Sequence, residues 1–380
     1  MKILAVDIGT GTQDIFLYDS QLDLENGYKL VLPSPTMIIR SKLRQATRQR
    51  QPVLLAGVTM GGGPSSWAVE AHLNAGLPVY AMPDAARTIN DDLEKIQVMG
   101  ITMVSEDEVL RLPETVQRIE MSDFNFPMIS HTLEQFSVSL DNLAAVAVAV
   151  FDHGNAPRGI SDRRFRFNYL DQRIRAENRL SAFAYCRQDI PPIMTRLQAV
   201  SKSADGLPVP LVVMDTAPAA VLGATLDPQV TVRPRIIITN IGNLHTLAFR
   251  LGPAGVEGLF EHHTGEIDLQ RLEALLLALA GGTLKNEDVF RQQGHGALVY
   301  SHEPLVLDAS GINLAVTGPR RNLLKESNLR PYFAVPFGDM MMAGCYGLLS
   351  ATADVIPELG ETIRKSIRGS SAGKAPWEVA

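Results

Sequence analysis

Hydrophobic positions fall in short runs separated by glycine, proline and polar clusters. Ile3 to Val6 and Ile15 to Tyr18 flank a turn containing Gly9 and Gly11, so the chain opens as strand, tight turn and returning strand. A third strand is expected near Lys29 to Leu32, closed by Pro33 and Pro35, and the basic stretch from Ile38 to Arg50 reads as a surface helix. Pro52 introduces the apolar run VLLAGVTM, which ends at Gly61, Gly62, Gly63 and Pro64. The helical pattern SSWAVEAHLNAG, a strand LPVYAM, a helix around Ala85 to Met99 and a short strand at Ile101 to Val104 follow. Alternating strands and helices predict a parallel, helix-covered sheet.

The continuous apolar run from Ala144 to Phe151 predicts a central strand, ending in Asp152, His153 and Gly154. Ser201 to Pro210, broken by Gly206, Pro208 and Pro210, reads as a connector into the strand LVVMD, which ends at Asp215. The helix TAPAAVLGA follows, and its small residues allow close approach to another backbone, which suits a domain junction. From Arg235 to Arg250, RIIITNIGNLHTLAFR repeats the opening device of strand, glycine turn and strand. Ile312 to Gly318 predicts a strand running into Pro319, Arg320 and Arg321. Gly338 to Leu349 reads as a helix with Ala343, Gly344 and Gly347 on its close-packing side, and Met340 to Met342 as core packing.

The chain has 380 residues, which predicts two domains or one large α/β unit. Its 46% hydrophobic and 20% charged residues are ordinary for a globular protein, and a net charge of -6 argues against general nucleic-acid binding. No apolar stretch is long enough to span a bilayer, and the N-terminus enters a strand without a basic leader, so a cytoplasmic protein with no membrane partner is expected. Cys186 and Cys345 form neither a CxxC pair nor a closely spaced trio, so they read as buried small residues.

Several residues carry candidate chemistry. Asp7 meets the Gly9 and Gly11 turn at one point, an arrangement that suits a metal-bound phosphate or else an ordinary hairpin with a glycine bulge. Two such hairpins, the second carrying Asn240, Gly242, Asn243, His245 and Thr246, would grip a polyphosphate from both sides. Asp152 and His153 end a strand, where ligands of open α/β sheets sit, and an Asx turn is the plainer reading. Between Arg158 and Arg179 lie seven arginines against Asp162, Asp171 and Glu177. This run is either a solvated helix face or a surface for an anionic substrate centred on Arg163, Arg164 and Arg166. The Gly61 loop lacks the Gly-Lys-Ser/Thr ending of a phosphate loop, so a structural strand-to-helix turn is the plainer reading there and a second anion site the alternative. His262, His263 and His295 together with His153 could assemble a metal site, but no fixed ligand spacing supports one, so surface or structural roles are the plainer reading. Gly318 and Arg320 would take the flat face of an adenine.

The order of these segments resembles the ATPase superfamily of actin, the heat-shock chaperones and the sugar kinases. The matching stretches are phosphate-1 at Asp7 to Asp14, connect-1 at Asp215 to Ala224, phosphate-2 at Asn240 to Thr246, adenosine at Val316 to Arg321 and connect-2 at Gly338 to Leu349. The strings NIGNLHT, FDHGNAP and SDRRFRF also resemble a prokaryotic family within it, sometimes labelled putative pyruvate formate-lyase activating enzyme. That label implies a radical S-adenosylmethionine cluster, which the absence of a CxxxCxxC motif contradicts.

The resemblance implies an α/β fold of two ribonuclease-H-like domains around a nucleotide cleft holding ATP and Mg²⁺. The implied division is 1–224, with the first hairpin and inserted α/β elements, then 225–337, with the second hairpin and adenosine turn, then 338–380, a junction helix and loose tail. By analogy Asp7 would hold magnesium through water. Gly9, Thr10, Gly11 and Thr12 would wrap the phosphates, and Gly242, Asn243 and Thr246 would face them. Gly318 would receive adenosine. The chain departs from the family at Asn240, where an acid is common, leaving Asp7 as the one acid expected at the hairpin starts. His245, where small residues are usual, is either a phosphate donor in the cleft or a packed histidine supported by its neighbours, and because the turn should face the ligand the donor is expected. The implied function is an ATP-dependent phosphotransferase or ATPase acting on a small, anionic molecule, with Asp152 as base. The alternative is a nucleotide sensor or scaffold with little hydrolysis.

Overall fold

A computed structural model describes residues 1–157, 159–307, 313–369 and 373–379. The opening hairpin forms as expected, with strands β1 (Lys2–Ile8) and β2 (Thr12–Asp19) and then β3 (Tyr28–Pro33). Helix Pro35–Arg48 follows, capped by the Ser34 hydroxyl, which accepts from the Met37 N–H. The helix is exposed on one side only, because Ile39, Leu43 and Ala46 sit inward at helical spacing in a separate core. That core belongs to a four-stranded parallel sheet, β4 (Val53–Gly57), β5 (Val79–Ala81), β6 (Thr102–Met103) and β7 (Gln117–Met121), in the order β6-β5-β4-β7. The single helix expected from Ala85 to Met99 is two short ones, Pro83–Ala86 and Leu93–Val98, separated at Asp92, whose carboxylate caps the second.

The chain then returns to the first sheet with β8 (Leu143–Val150), β9 (Ala184–Cys186) and β10 (Leu211–Asp215), giving the order β3-β2-β1-β8-β10-β9. Three antiparallel strands lead, then β8 and β10 run parallel to β1, and β8 is buried on both faces as its apolar run requires. Helix Thr195–Ser203 occupies the start of the expected connector.

The second sheet repeats the plan with β11 (Ile236–Ile241), β12 (His245–Gly252), β13 (Gly255–His263), β14 (Gly296–Val299), β15 (Leu314–Thr317) and β16 (Tyr332–Phe333). Its order is β14-β13-β12-β11-β15-β16, again an antiparallel meander joined to parallel β15 and β16. Stripped of β9 and β14, both sheets read third, second, first, fourth, fifth. This is the ribonuclease-H-like order, and its duplication is the actin-like ATPase fold. Ile312, expected to begin β15, and Ser370 to Ala372 of the expected loose tail lie outside the described residues.

Between the sheets, helices Thr216–Ala224 and Ala343–Val355 cross with their backbones in contact. A methyl on Gly223 would strike the Ala343 carbonyl, and one on Gly347 the Ala219 carbonyl. The second helix begins later than expected, at Ala343. Met342 is buried, whereas Met340 and Met341 line the cavity between the two hairpins, which corrects the reading of all three as core.

Candidate active site in the cleft

Both glycine hairpins open into one cavity of about 470 Å³. In the first, the Gly9 N–H donates to the Thr12 carbonyl at 2.9 Å, and in the second the Gly242 N–H donates to the His245 carbonyl at 2.9 Å. The turns approach each other closely enough that a methyl on Gly11 would lie 2.5 Å from the Asn243 amide nitrogen. Gly9, Thr10, Thr12, Asn240, Gly242, Asn243 and His245 line the cavity as expected of the phosphate-facing segments, together with Gly318. Gly11 instead packs against Asn243. Thr246 departs further: strand alternation turns it inward, where its fully buried hydroxyl lies 2.9 Å from that of Thr264. Arg320 is exposed, its N–H donating to the Ile241 carbonyl, and its side chain is not part of the cavity wall.

Asp7 does not stand alone. Antiparallel pairing sets Asp14 of β2 directly across from it, and both carboxylates are buried at the cavity wall. The Thr216 hydroxyl donates to Asp7 Oδ1 at 2.6 Å, and the start of helix Ala343–Val355 packs so closely that a methyl on Gly344 would overlap Asp7 Oδ2. Burial pushes the Asp7 carboxyl up to about 6, against the Thr216 bond. Burial and then the neighbouring Asp7 push Asp14 up to about 8. Asp14 Oδ1 is buried without a partner, so the pair presents an orphaned oxygen that suits a hard divalent cation. The expectation of one acid here is thus corrected to two.

Asp152 lines the same cavity, yet its carboxylate is committed. Oδ1 accepts from the Gly154 N–H at 2.8 Å, and Oδ2 accepts from the Arg196 and Leu197 N–H groups, both at 2.9 Å. Helix Thr195–Ser203 starts at Met194, which cannot cap it, and Asp152 serves instead. Burial raises its carboxyl in opposition to these bonds. This role differs from the base expected from sequence. His153 faces Asp91 at 3.6 Å, and that carboxylate with Asp152 raises the imidazole against the effect of burial.

The expected arginine surface divides three ways. Arg163 stacks on Phe290 at 4.4 Å and donates to the Gly294 carbonyl at 2.7 Å at the cavity edge. Arg164 is exposed, 6.0 Å from the same ring. Arg166 is not a substrate-facing residue at all, being 1% exposed. Its Nη1 donates to Asp215 Oδ2 at 2.6 Å, and its Nε to Glu261 Oε2 at 2.7 Å, so it ties β10 of the first sheet to β13 of the second. Arg166 lies on the face of helix Asp162–Ala176 that also buries Leu170 and Ile174, which is why it points inward.

The histidines also sort differently from expectation. His262 is buried on the face of β13 turned away from the cavity, and His153 belongs to Asp91. His245 and His263 are directly paired across β12 and β13, and His295 lies beside them at the start of β14. One nitrogen from each of the three rings falls within 4.8 Å of the others, all at the cavity wall. Glu261 lies behind them, fully buried, with Oε1 3.2 Å from His245 Nδ1 and 2.9 Å from His295 Nδ1, although neither ring N–H points squarely at it. Phe151 stacks on His245 at 4.2 Å. Burial lowers His245, and burial with the neighbouring imidazoles lowers His263 to about 4. Counting from the Pro253–Ala254 turn would pair His245 with His262; an irregularity in register between Arg250 and Leu251 shifts the pairing by one residue, to His263, and nothing local in the sequence marks it.

Among the described residues no helix is long and apolar enough to cross a membrane. Residues 60–323 match the family described as "Putative pyruvate format-lyase activating enzyme (DUF1786)". The chain matches no curated protein. Among solved structures it is similar to the activator of the 2-hydroxyisocaproyl-CoA dehydratase from Clostridium difficile with bound ADPNP, at 10% identity and TM-score 0.32 over 99% of each chain. It is also similar to the ethanolamine utilization protein EutJ from Carboxydothermus hydrogenoformans, at 10% identity and TM-score 0.31, covering 92% of this chain and 89% of that one. The family match spans more than half of the sequence, and the chain belongs to that family.

Proposed function

For this member of the family we propose an ATP-binding protein that uses Mg²⁺ and transfers or hydrolyses the terminal phosphoryl group. The observation that carries the reading is the pair of equivalent glycine turns whose tips meet over one cavity, with the buried acids Asp7 and Asp14 at its wall. Asp7 and Asp14 would hold the cation, which when bound supplies positive charge to phosphate oxygens. Thr216 fixes Asp7, and Thr10, Thr12 and Asn243 offer polar groups from both sides of the cavity. Gly318, His153 and Arg163 line the same cavity, and in this reading Gly318 would receive the adenosine while His153 and Arg163 would face an anionic acceptor. The crossing of helices Thr216–Ala224 and Ala343–Val355 lies between the two sheets, where closure would exclude water.

Binding of ATP with Mg²⁺ should raise the melting temperature, and phosphate release should fall on the order of 100-fold or more in Asp7→Asn. Turnover in Asp7→Asn equal to the parent would refute the reading.

A second reading has its own observation. Asp152 is committed to a helix cap and Asn240 stands where an acid is common, so neither of these two positions supplies a free base; of the other acids on the cavity wall, Asp91 faces His153 at 3.6 Å and Asp162 is exposed at the start of its helix. The protein would then bind ATP and signal through closure. Tight binding with negligible turnover, restored by Asn240→Asp, would favour this sensor over the phosphotransferase.

A further inference from the structure

The wall formed by His245, His263 and His295 has a chemistry that the phosphate turns do not use. Three imidazoles, from the first residue of β12, the last residue of β13 and the residue just before β14, converge at the cavity, although 18 and 32 residues separate them in sequence. His263 Nε2 and His295 Nε2 face each other at 3.3 Å. Two nitrogens bound tetrahedrally to one zinc-sized ion at about 2.0–2.1 Å would lie roughly 3.3 Å apart. The widest separation in the set, within 4.8 Å, requires a ring to swing by roughly 1 Å to complete such a set. Behind the rings, Glu261 sits at 3.2 Å and 2.9 Å from the Nδ1 atoms of His245 and His295, the position of the carboxylate that orients a metal-bound histidine. Arg166 anchors that carboxylate through its other oxygen at 2.7 Å.

We propose that His245, His263 and His295 bind one divalent transition-metal ion of the zinc class, with Glu261 positioning the rings and the open side facing the cleft. Imidazole nitrogen selects such ions over Mg²⁺, which takes oxygen ligands, so this site is chemically distinct from the Asp7 and Asp14 pair. Three protein ligands leave a coordination position for water or a ligand oxygen, as in zinc sites that are not purely structural. The site does not depend on ATP binding.

Cobalt(II) is the probe, titrated into the tag-free, metal-stripped full chain and followed by visible absorption, with zinc competition. The expected result is an intense tetrahedral-type band that saturates at one cobalt per chain and that zinc abolishes, whereas cobalt held by the oxygen ligands of Asp7 and Asp14 absorbs only weakly. His263→Asn and His295→Asn should each weaken cobalt binding by roughly 100-fold, whereas Glu261→Gln should keep the band and lose about 10–100-fold in affinity. The exposed His131→Ala and the cation-pair variant Asp7→Asn should both keep the tetrahedral-type band at the parent's intensity. His263 is half-exposed at the cavity wall, so His263→Asn remains informative if the more buried His295→Asn does not fold. Absence of a stoichiometric band, a band that survives His263→Asn unchanged, or a band lost in Asp7→Asn would overturn the proposal. Loss of ATP turnover in Asp7→Asn with cobalt binding retained would separate the two sites.

Discussion

At Gly9 and at Gly242 the backbone closes the same turn, glycine N–H to the carbonyl three residues on, at the same 2.9 Å. The side chains placed on that shared frame are opposite in character. Asp7 corresponds to Asn240, Thr12 to His245, and Asp14 to Leu247, counting from the turn glycine. The first hairpin therefore brings two carboxylates to the cavity, and the second brings an amide and an imidazole that joins His263 and His295. Duplication of a fold copies the phosphate-facing backbone without copying the ligand chemistry. One side suits a hard cation with oxygen ligands, the other a softer ion with nitrogen ligands.

The strongest test of this contrast removes what binds the two sides together. Arg166 spans Asp215 and Glu261 while fully buried, and Arg166→Met would leave both carboxylates without their partner. Removing one member of a buried pair typically costs about 3–5 kcal/mol. Chemical denaturation should show a loss of that size, whereas Arg164→Met, at an exposed neighbour, should stay within about 0.5 kcal/mol. Equal effects from the two would mean that the ion pair does not join the halves.

The acids of the first hairpin should also give it a pH signature. Asp7 and Asp14 titrate in the folded protein near 6 and 8, above their ordinary 3.8. The folded state therefore holds protons that the unfolded chain has released, and stability falls as pH rises from about 4 to 8. A divalent cation that replaces those protons should flatten the fall. Melting temperatures across this range, with and without Mg²⁺, should diverge most at the alkaline end. A fall of the same size with Mg²⁺ present would remove the acid pair from the cation site.

A smaller effect is expected at Gly344, where an added methyl would overlap Asp7 Oδ2. Gly344→Ala gains up to about 1 kcal/mol of helix propensity but overpacks a buried carboxylate at about 1–3 kcal/mol, so the clash should prevail. Melting and Mg²⁺-dependent phosphate release should both fall. A stabilised variant with full activity would show that Asp7 can move freely.

Much of the fold was legible because its determinants are local. Glycine turns flanked by apolar runs gave both hairpins, and the uninterrupted Ala144 to Phe151 run gave the central strand. What stayed hidden depends on which residues face one another across strands. Asp14 completes the cation pair only because β2 folds back on β1, and the histidine wall needs the β12–β13 register to pair His245 with His263 and the residue just before β14 to bring His295 beside them. Arg166 was hidden in an arginine-rich run that reads as solvated, although its spacing of four from Leu170 and eight from Ile174 marks the inward face.

Asp152 carries two readings from sequence, a base and an Asx turn at a strand end, and the second is present as the bond from the Gly154 N–H. From sequence it has the position of a base, yet its two oxygens accept three backbone N–H groups, and Arg196 and Leu197 are the second and third residues of helix Thr195–Ser203. Asp152→Asn keeps the shape but offers only one acceptor oxygen, so the cap is partly lost, at about 0.5–2 kcal/mol. A base role would instead cost turnover, by roughly 10²–10⁴-fold. The two roles therefore separate in a single variant. The cap predicts a lowered melting temperature with turnover per folded molecule within a few-fold of the parent, and a collapse of turnover at unchanged stability would return Asp152 to the chemistry of the cleft.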